Sequence, residues 1–476
     1  MADGVDVAIL GGGNAGYACA LRAAQLGLRV TLVERDKVGG TCLHRGCIPT
    51  KALLHSAEVV DHVRSAGDFG VLVAAEPSVD WGKVLSYQGS VVAKLYRGLQ
   101  GVIKARGVTT LAGDGVLVAP DAIEVTLPDG PKETIRARAV VLASGSYARS
   151  LPFIAIDGTT FITSDQALTL GDLPSSVVII GAGAVGLEFA SLYRSFGLDV
   201  TILEALPRLA PGEDEEVSAE VTRQFKRRGI TSVAGVKVTG AAAVAGGASI
   251  TYETADGKAV EVVAERCLVA TGRGPISEGL GYEEQGVRLE RGFVVVDEWC
   301  RTGVDGVWAI GDLVTQPSLN LPIPHLQLAH VAFAEGIHVA EQIAGSADPA
   351  LVDYMGVPRC TYSAPEIASV GYTEAQAKAA GYEVEVAHYQ WAASGKASIL
   401  GEPHGFVKAV AEKGGRVLGV HMVGPRVTEL VAEAQLMVNW EAYPAEVAAL
   451  LHPHPTLSEA VGESMLHLAG KQLHGA

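Results

Sequence analysis

Apolar and polar positions along the chain fall into short blocks that separate into strands and helices. Val5 to Leu10 is an apolar run of strand length, interrupted by Gly11-Gly12-Gly13-Asn14-Ala15-Gly16. Tyr17 to Leu26 then carries apolar residues at helical spacing, and Val30 to Val33 is a second strand ending on the acid Glu34. The same succession returns 170 residues later: Val177 to Ile180, Gly181-Ala182-Gly183-Ala184-Val185-Gly186, a helical stretch, then Val200 to Leu203 ending on Glu204. In both copies the acid follows the last glycine by 18 residues. Two more apolar runs end in glycine turns, Ala139 to Ala143 before Ser144-Gly145-Ser146 and Cys267 to Ala270 before Thr271-Gly272-Arg273, and each is expected to close one sheet. A further strand, Val307 to Ile310, runs into Gly311-Asp312. From about Leu351 the pattern changes to strand-like runs (Gly405 to Val410, Val417 to Val423) alternating with Ala-rich helices.

The expected fold class is therefore α/β, with two Rossmann-like dinucleotide-binding domains and a C-terminal α+β domain. The expected division is 1–150 for the first nucleotide fold, 151–275 for the second, 276–350 for a central segment that completes the first, and 351–476 for a C-terminal interface domain. Strand, glycines, helix, strand and terminal acid in order form the full context that a dinucleotide fingerprint needs. The glycines permit the tight turn and let the N–H groups of a helix start meet a pyrophosphate, while the acid accepts hydroxyls of the adenosine ribose. Two copies imply two dinucleotides.

Composition narrows the function classes. The chain has 476 residues, with 37 Lys plus Arg against 53 Asp plus Glu for a net charge of −16, so no nucleic-acid partner and no anionic membrane surface are expected. Its 57 glycines exceed the usual share without a collagen period, as expected where many turns approach a ligand. Six cysteines (Cys19, Cys42, Cys47, Cys267, Cys300, Cys360) are too few for a secreted disulfide scaffold, and acids stand where an export signal needs a basic region. A cytoplasmic location is expected. The longest stretch without Asp, Glu, Lys or Arg, Leu313 to Ala334, holds three prolines and several polar residues, so no transmembrane helix is expected there.

After Glu34 comes Gly39-Gly40-Thr41-Cys42-Leu43-His44-Arg45-Gly46-Cys47-Ile48-Pro49-Thr50-Lys51, at the start of a helix whose apolar side is marked by Leu53, Ala57, Val60 and Val63. Two cysteines at this spacing can close a small disulfide ring, and near a helix N-terminus beside Lys51 their thiols should ionise easily. Alone, the pair is equally compatible with a structural or metal site, although only His44 and His55 are available as further ligands and no metal is expected. Near the C-terminus, His452-Pro453-His454-Pro455-Thr456-Leu457-Ser458-Glu459 offers an imidazole and a carboxylate for acid–base work, but Thr456 and Glu459 also fit a helix capping box.

Taken together, the first glycine fingerprint, GGTCLHRGCIPTKALL, the second fingerprint followed by Leu187-Glu188, ATGR at 270–273, AIGD at 309–312, PEIASVGYTE from Pro365 and HPHPTLSEA from His452 resemble the flavoprotein disulfide reductases along essentially the whole chain. Within that family the sequence is most similar to the dihydrolipoamide dehydrogenase branch. The resemblance implies FAD in the first fold, with Gly11, Gly13, Gly16, Glu34, Gly40, Thr41, Lys51, Gly115, Ser144, Gly145, Asp312 and Ala329 around it. It implies Lys51 near the reacting flavin nitrogen and paired with Glu188, and a helix opening at Leu328-Ala329-His330 aimed at the flavin pyrimidine. The nicotinamide cofactor is expected on Gly181, Gly183, Gly186, Glu188, Glu204, Val238 and Gly272. Glu204 points to NAD, because a carboxylate accepts from a ribose 2′-OH and repels a 2′-phosphate.

By the same resemblance Cys42 and Cys47 form the redox disulfide, Cys42 meeting the dithiol substrate and Cys47 lying nearer the flavin. His454, oriented by Glu459, acts as base toward the disulfide of the other subunit of a homodimer. The implied activity is oxidation of dihydrolipoamide with reduction of NAD, and the implied partners are lipoyl domains and the E2 and E1 components of 2-oxoacid dehydrogenase complexes, or the H protein of glycine cleavage. The alternatives are a related NAD(P)H-dependent disulfide or quinone reductase, and a catalytically silent structural subunit. Mercuric reductase is disfavoured, since it needs a C-terminal cysteine pair and no cysteine follows Cys360. His44-Arg45, Thr50 and Ser144 depart from the family pattern, the first two residues placing basic groups beside the disulfide.

Overall fold

In the computed structural model, residues 4–319, 321 and 325–474 are described. They form two compact units: the described residues of 1–52, 85–149 and 273–354 make the first, and those of 53–84, 150–272 and 355–476 the second.

The first unit is built on a parallel sheet. β1 (Val5–Leu10) pairs with β2 (Val30–Glu34), β2 with β3 (Thr109–Ala112), and β1 on its other side with β6 (Lys132–Leu142). Strand Val307–Ala309 then pairs in parallel with the end of β6. The central segment thus adds a strand to the first sheet, and its helix Ala329–Ala344 packs along α1 (Asn14–Gln25). The two helices approach closely because Gly336 has no side chain: a Cβ there would lie 2.5 Å from the Ala15 carbonyl oxygen. Val7, Ile9, Leu32 and Val141 are fully buried on one face of the sheet, and Ala8, Val33, Val140 and Leu142 on the other. Each branched side chain removed from water in this way contributes about 2 kcal/mol.

The pattern places these elements well but not their ends. α1 begins at Asn14, three residues before the first apolar helical position, because Gly13 serves as its N-cap in extended conformation. β6 begins at Lys132, seven residues before the apolar run at Ala139. Its first half pairs antiparallel with β5 (Ala122–Thr126), itself paired with β4 (Asp114–Ala119), and is mostly exposed, so it carries no continuous apolar signal.

The second unit repeats the plan. Strands Ser176–Ile180, Asp199–Glu204, Thr231–Ala234, Arg266–Val269 and Phe161–Ile162 form a parallel sheet with the 176–180 strand at its centre, flanked by the 199–204 and 266–269 strands. A three-stranded antiparallel sheet, Lys237–Val244, Gly247–Glu253 and Ala259–Ala264, is attached to it. Residues 359–424 supply a five-stranded antiparallel sheet, covered by helices Val427–Asn439 and Glu459–Leu468 around a core that includes Trp391, Val420 and Met422. Strand Phe406–Glu412 of that sheet carries Lys408, only 2% exposed, whose ammonium lies 3.0 Å from Asp214, 2.6 Å from Glu216 and 2.8 Å from Glu374. Three carboxylates outweigh the cost of burying this lysine and hold it charged.

Among the described residues no helix is long and apolar enough to cross a membrane, and no three His, Cys, Asp or Glu side chains gather as a metal site. Cys19, Cys267 and Cys300 are fully buried, and burial pushes the Cys19 and Cys267 thiols up to about 12. They are inert core thiols.

Candidate active site

The two glycine turns have the same construction. Gly11 has φ +110°, and a Cβ there would lie 2.2 Å from the Ala143 carbonyl oxygen; Gly181 has φ +106° and would meet the Ala270 oxygen at 2.4 Å. At Gly16 and Gly186 a Cβ would lie 1.8 and 2.0 Å from the oxygens of Gly11 and Gly181, so helix and turn can touch only through glycine. Gly13 and Gly183 cap the helices and have nothing within 4 Å of a Cβ position. That open space in front of free helix N–H groups fits a pyrophosphate. At the end of the second strand, Glu34 accepts the Gly12 N–H at 2.7 Å and the Asp36 N–H at 2.9 Å. Glu204 accepts the Ala182 N–H at 2.6 Å and the Leu206 N–H at 2.8 Å. Each carboxylate is thereby aimed across its turn, with remaining lone pairs for ribose hydroxyls. The residues fit two dinucleotides. Arg208, four residues after Glu204, is committed to Glu215 at 2.8 Å and to the Pro211 and Glu213 carbonyls.

The other residues expected around the first nucleotide lie in the first unit, with different local roles. Asp312 accepts the Ser146 hydroxyl at 2.5 Å, while Arg273 donates to Ser146 at 2.7 Å and stands 3.8 Å from Asp312. The Gly311 N–H before it is held by the fully buried Glu335 at 2.6 Å, and Glu335 also receives the Tyr354 hydroxyl at 2.8 Å. Ser144 donates to the Ile276 carbonyl at 2.5 Å and receives the Tyr282 hydroxyl, so its hydroxyl braces the turn. Gly145 is open, whereas Gly115 is a packing glycine whose Cβ would strike Leu10 at 2.5 Å. Ala329 is the first residue of its helix, with Leu328 as N-cap. In the second unit Glu188 is buried and accepts the Tyr362 N–H at 3.0 Å, Val238 lies in the attached antiparallel sheet, and Gly272 is open.

The dithiol is placed by a backbone clasp. Gly39 N–H donates to the Gly12 carbonyl at 2.8 Å, and Gly40 lies so near Gly13 that a Cβ would come within 2.7 Å of its Cα. This seats α2 (Gly40–Arg45), with Thr41 and Cys42, on the start of α1. After Gly46, α3 (Cys47–Ser65) begins at the second cysteine, with Lys51 one turn further. Both cysteines are in the reduced state and half-buried. The Cys47 thiol beside it does most to pull the Cys42 thiol down to about 7; burial opposes, and the Asn14 amide and the Lys51 ammonium assist. Such a thiol is substantially ionised at neutral pH. The basic residues between the cysteines are occupied elsewhere: His44 Nε2 lies 3.0 Å from the Val38 oxygen with its ring on Tyr96, and Arg45 lies 3.5 Å from Asp36. Tyr17 follows Asn14 on α1, feels both sulfurs, and stacks edge-on with Phe333 at 5.6 Å.

At the C-terminal end His454 Nδ1 lies 2.8 Å from Glu459 Oε1, and Glu459 Oε2 accepts the Thr456 N–H at 2.8 Å. Burial opposes ionisation of Glu459, but the bonds from Thr456 and His454 outweigh it and hold the carboxyl below its usual range. Only half of the expected capping box forms: the Thr456 hydroxyl turns to the Pro453 carbonyl, and the helix opens at Glu459 behind Ser458. The His454 side chain is 77% exposed, whereas His452 is 14% exposed, bonded to Glu433 and pressed against Gly462. One histidine is presented outward with an anionic partner, and the other belongs to the packing.

Glu335 and Phe333 carry no sequence motif. Asn14 stands in the first glycine turn with Tyr17 just after it, Ser146 stands in the turn after Ala143 and Arg273 ends the ATGR run, but none of the four was singled out by the sequence as a site residue.

Residues 5–336 match the pyridine nucleotide-disulphide oxidoreductase family and residues 357–465 match its dimerisation domain, so the chain belongs to the pyridine nucleotide-disulphide oxidoreductases. It is an oxidoreductase with FAD and NAD as cofactors, and its dimerisation domain makes the homodimer its expected assembly. The dihydrolipoyl dehydrogenase of Bacillus subtilis is 42% identical over the full length of both chains. That of Mycobacterium tuberculosis is 40% identical, covering 98% of this chain and 99% of its own. Among solved structures, LpdA from Mycobacterium tuberculosis is similar with a TM-score of 0.88 at 27% identity, covering 97% of this chain and 99% of that one.

Proposed function

We propose that the protein oxidises protein-bound dihydrolipoamide to lipoamide and passes the electrons to NAD. The observation that carries this reading is the clasp that seats an easily ionised cysteine, with its partner thiol, on the same helix start that frames the first dinucleotide cradle. In the oxidised enzyme Cys42 and Cys47 form the disulfide. His454 Nε2 takes the proton of one substrate thiol, and Glu459 stabilises the imidazolium. The substrate thiolate attacks Cys42 Sγ, forming a mixed disulfide and releasing Cys47 as thiolate. The second substrate thiol, deprotonated in turn, closes the lipoamide disulfide and releases Cys42 as thiolate. Lys51 holds positive charge beside these sulfurs, Asp312 and Glu34 grip the ribitol and the adenosine ribose, and Glu204 selects NAD. When bound, FAD supplies the two-electron acceptor and NAD the final hydride acceptor.

In the homodimer the outward His454 of one protomer serves the cysteine pair of the other; 1–150 with 276–350 acts as the FAD domain, 151–275 as the NAD domain and 351–476 as the interface domain. Lipoyl domains of 2-oxoacid dehydrogenase complexes with their E2 and E1 components, or the glycine cleavage H protein, present the substrate in the cytoplasm.

The test is NADH formation by the purified holoenzyme with dihydrolipoamide and NAD, beside NADP and glutathione controls. Fast turnover only with the first pair, abolished by Cys47→Ser, is the expected result. A flavin-loaded protein that oxidises NADH with quinones or dyes yet ignores dihydrolipoamide would overturn it.

A further inference from the structure

We propose that the Asn14 side-chain amide is a dedicated hydrogen-bond donor to the Cys42 thiolate, stabilising that sulfur as the leaving group when lipoamide is released. This rests on the reaction proposed above. Asn14 is the first residue of α1; the Gly39–Gly12 bond together with the Gly40–Gly13 contact seats the segment bearing Cys42 on that helix start, and the Asn14 amide acts on the Cys42 sulfur. The residue is 9% exposed, and its Nδ2 is buried without a hydrogen-bond partner while Cys42 is a thiol. An unmade bond on a buried donor is costly, so such a group is retained where another state satisfies it. A thiol sulfur is a weak acceptor and a thiolate a strong one, so the state that satisfies Asn14 is ionised Cys42. The same amide helps depress the ionisation of Cys42, alongside Cys47 and Lys51 from α3. Tyr17, the other polar side chain of α1 near the sulfurs, has its phenol pushed up to about 12 by burial and by the two thiols, and stays neutral.

The step balances as follows. The substrate is bound to Cys42 Sγ through one sulfur; His454, having released the first proton to water, takes the proton of the second thiol. That thiolate attacks the bound sulfur; the new S–S bond forms within lipoamide, the bond to Cys42 breaks, and its electron pair remains on Cys42 Sγ, which accepts the hydrogen bond that the Asn14 N–H donates. A sulfur whose anion is stabilised leaves faster.

The experiment measures iodoacetamide alkylation of Cys42 in the reduced holoenzyme against pH, with the modified peptide identified by mass. The wild-type midpoint is expected near 7. Asn14→Leu, which removes the donor, is expected to raise it by about one unit, slowing alkylation at pH 6 about tenfold. Asn14→Ser, which keeps a hydroxyl donor, should rise less. Should Asn14→Leu fail to hold its flavin, Asn14→Asp, of the same size but negative, must raise the midpoint further. A midpoint equal to wild type in either donor-free variant overturns the proposal. Alkylation needs no substrate, so this result stands apart from the turnover assay: loss of turnover with dihydrolipoamide would sink the functional reading, and an unmoved midpoint would sink the role of Asn14.

Discussion

Gly16→Ala is expected to yield protein without flavin, while Gly186→Ala yields yellow, flavin-loaded protein that NADH cannot reduce. The expectation follows from distances that no side-chain adjustment relieves. A Cβ at residue 16 would stand 1.8 Å from the Gly11 oxygen, and one at residue 186 would stand 2.0 Å from the Gly181 oxygen. The obstacle in each case is backbone in a turn whose own φ is near +110° or +106°, so relief requires the turn to leave the position in which its N–H groups face the pyrophosphate. Because each cradle is built by its own strand, helix and acid, damage at one leaves the other standing. Flavin absorbance per protein and anaerobic reduction by NADH separate the two outcomes. A Gly16→Ala protein with full flavin content would show that the turn yields more easily than its geometry implies, and a Gly186→Ala protein reduced at the wild-type rate would remove the second cradle from the electron path.

These turns were legible in the sequence because their requirement is met by one residue type at fixed spacing. Only glycine permits the close approach at residues 16 and 186, so a physical constraint becomes a pattern. The strand ends that bear Glu34 and Glu204 were legible for the same reason. The support beneath the site was not. Ser146 and Arg273 stand in turns the sequence displays, but their pairing with Asp312 and with each other, and the Glu335 bond to Gly311, span 166, 127 and 24 residues of sequence, and ordinary polar residues meet such demands in many combinations. Asn14 is intermediate: the helix start is written in the glycines, but the partner that gives its amide meaning arrives with the Gly39–Gly40 clasp. His44 and Arg45 lie between the two cysteines in sequence, and the turn of α2 sends their side chains to Val38, Tyr96 and Asp36.

His454→Ala is expected to lower dihydrolipoamide-driven NADH formation by about 10²–10⁴-fold, the usual worth of a positioned acid–base group. NADH-driven reduction of a small dye should stay unchanged, since that path uses neither the disulfide nor the imidazole. Glu459→Gln should fall by less, because glutamine keeps an oxygen for the Thr456 N–H and removes only the charge that stabilises imidazolium. With Glu459 held below the usual carboxylate range, the pair's anion is present throughout neutral pH, and its contribution is lost only as the pH falls through that depressed value. The rate near neutrality should therefore report ionisation of the Cys42 thiol, not titration of Glu459. His452→Ala provides the necessary contrast. Its ring is 14% exposed, bonded to Glu433 at 2.7 Å and packed on Gly462, so its loss should lower thermal stability while leaving the rate largely intact. If instead the rate collapses in a folded, flavin-loaded His452→Ala protein and survives in His454→Ala, the proton passes through the inner histidine, and the outward pair is a helix-terminus support.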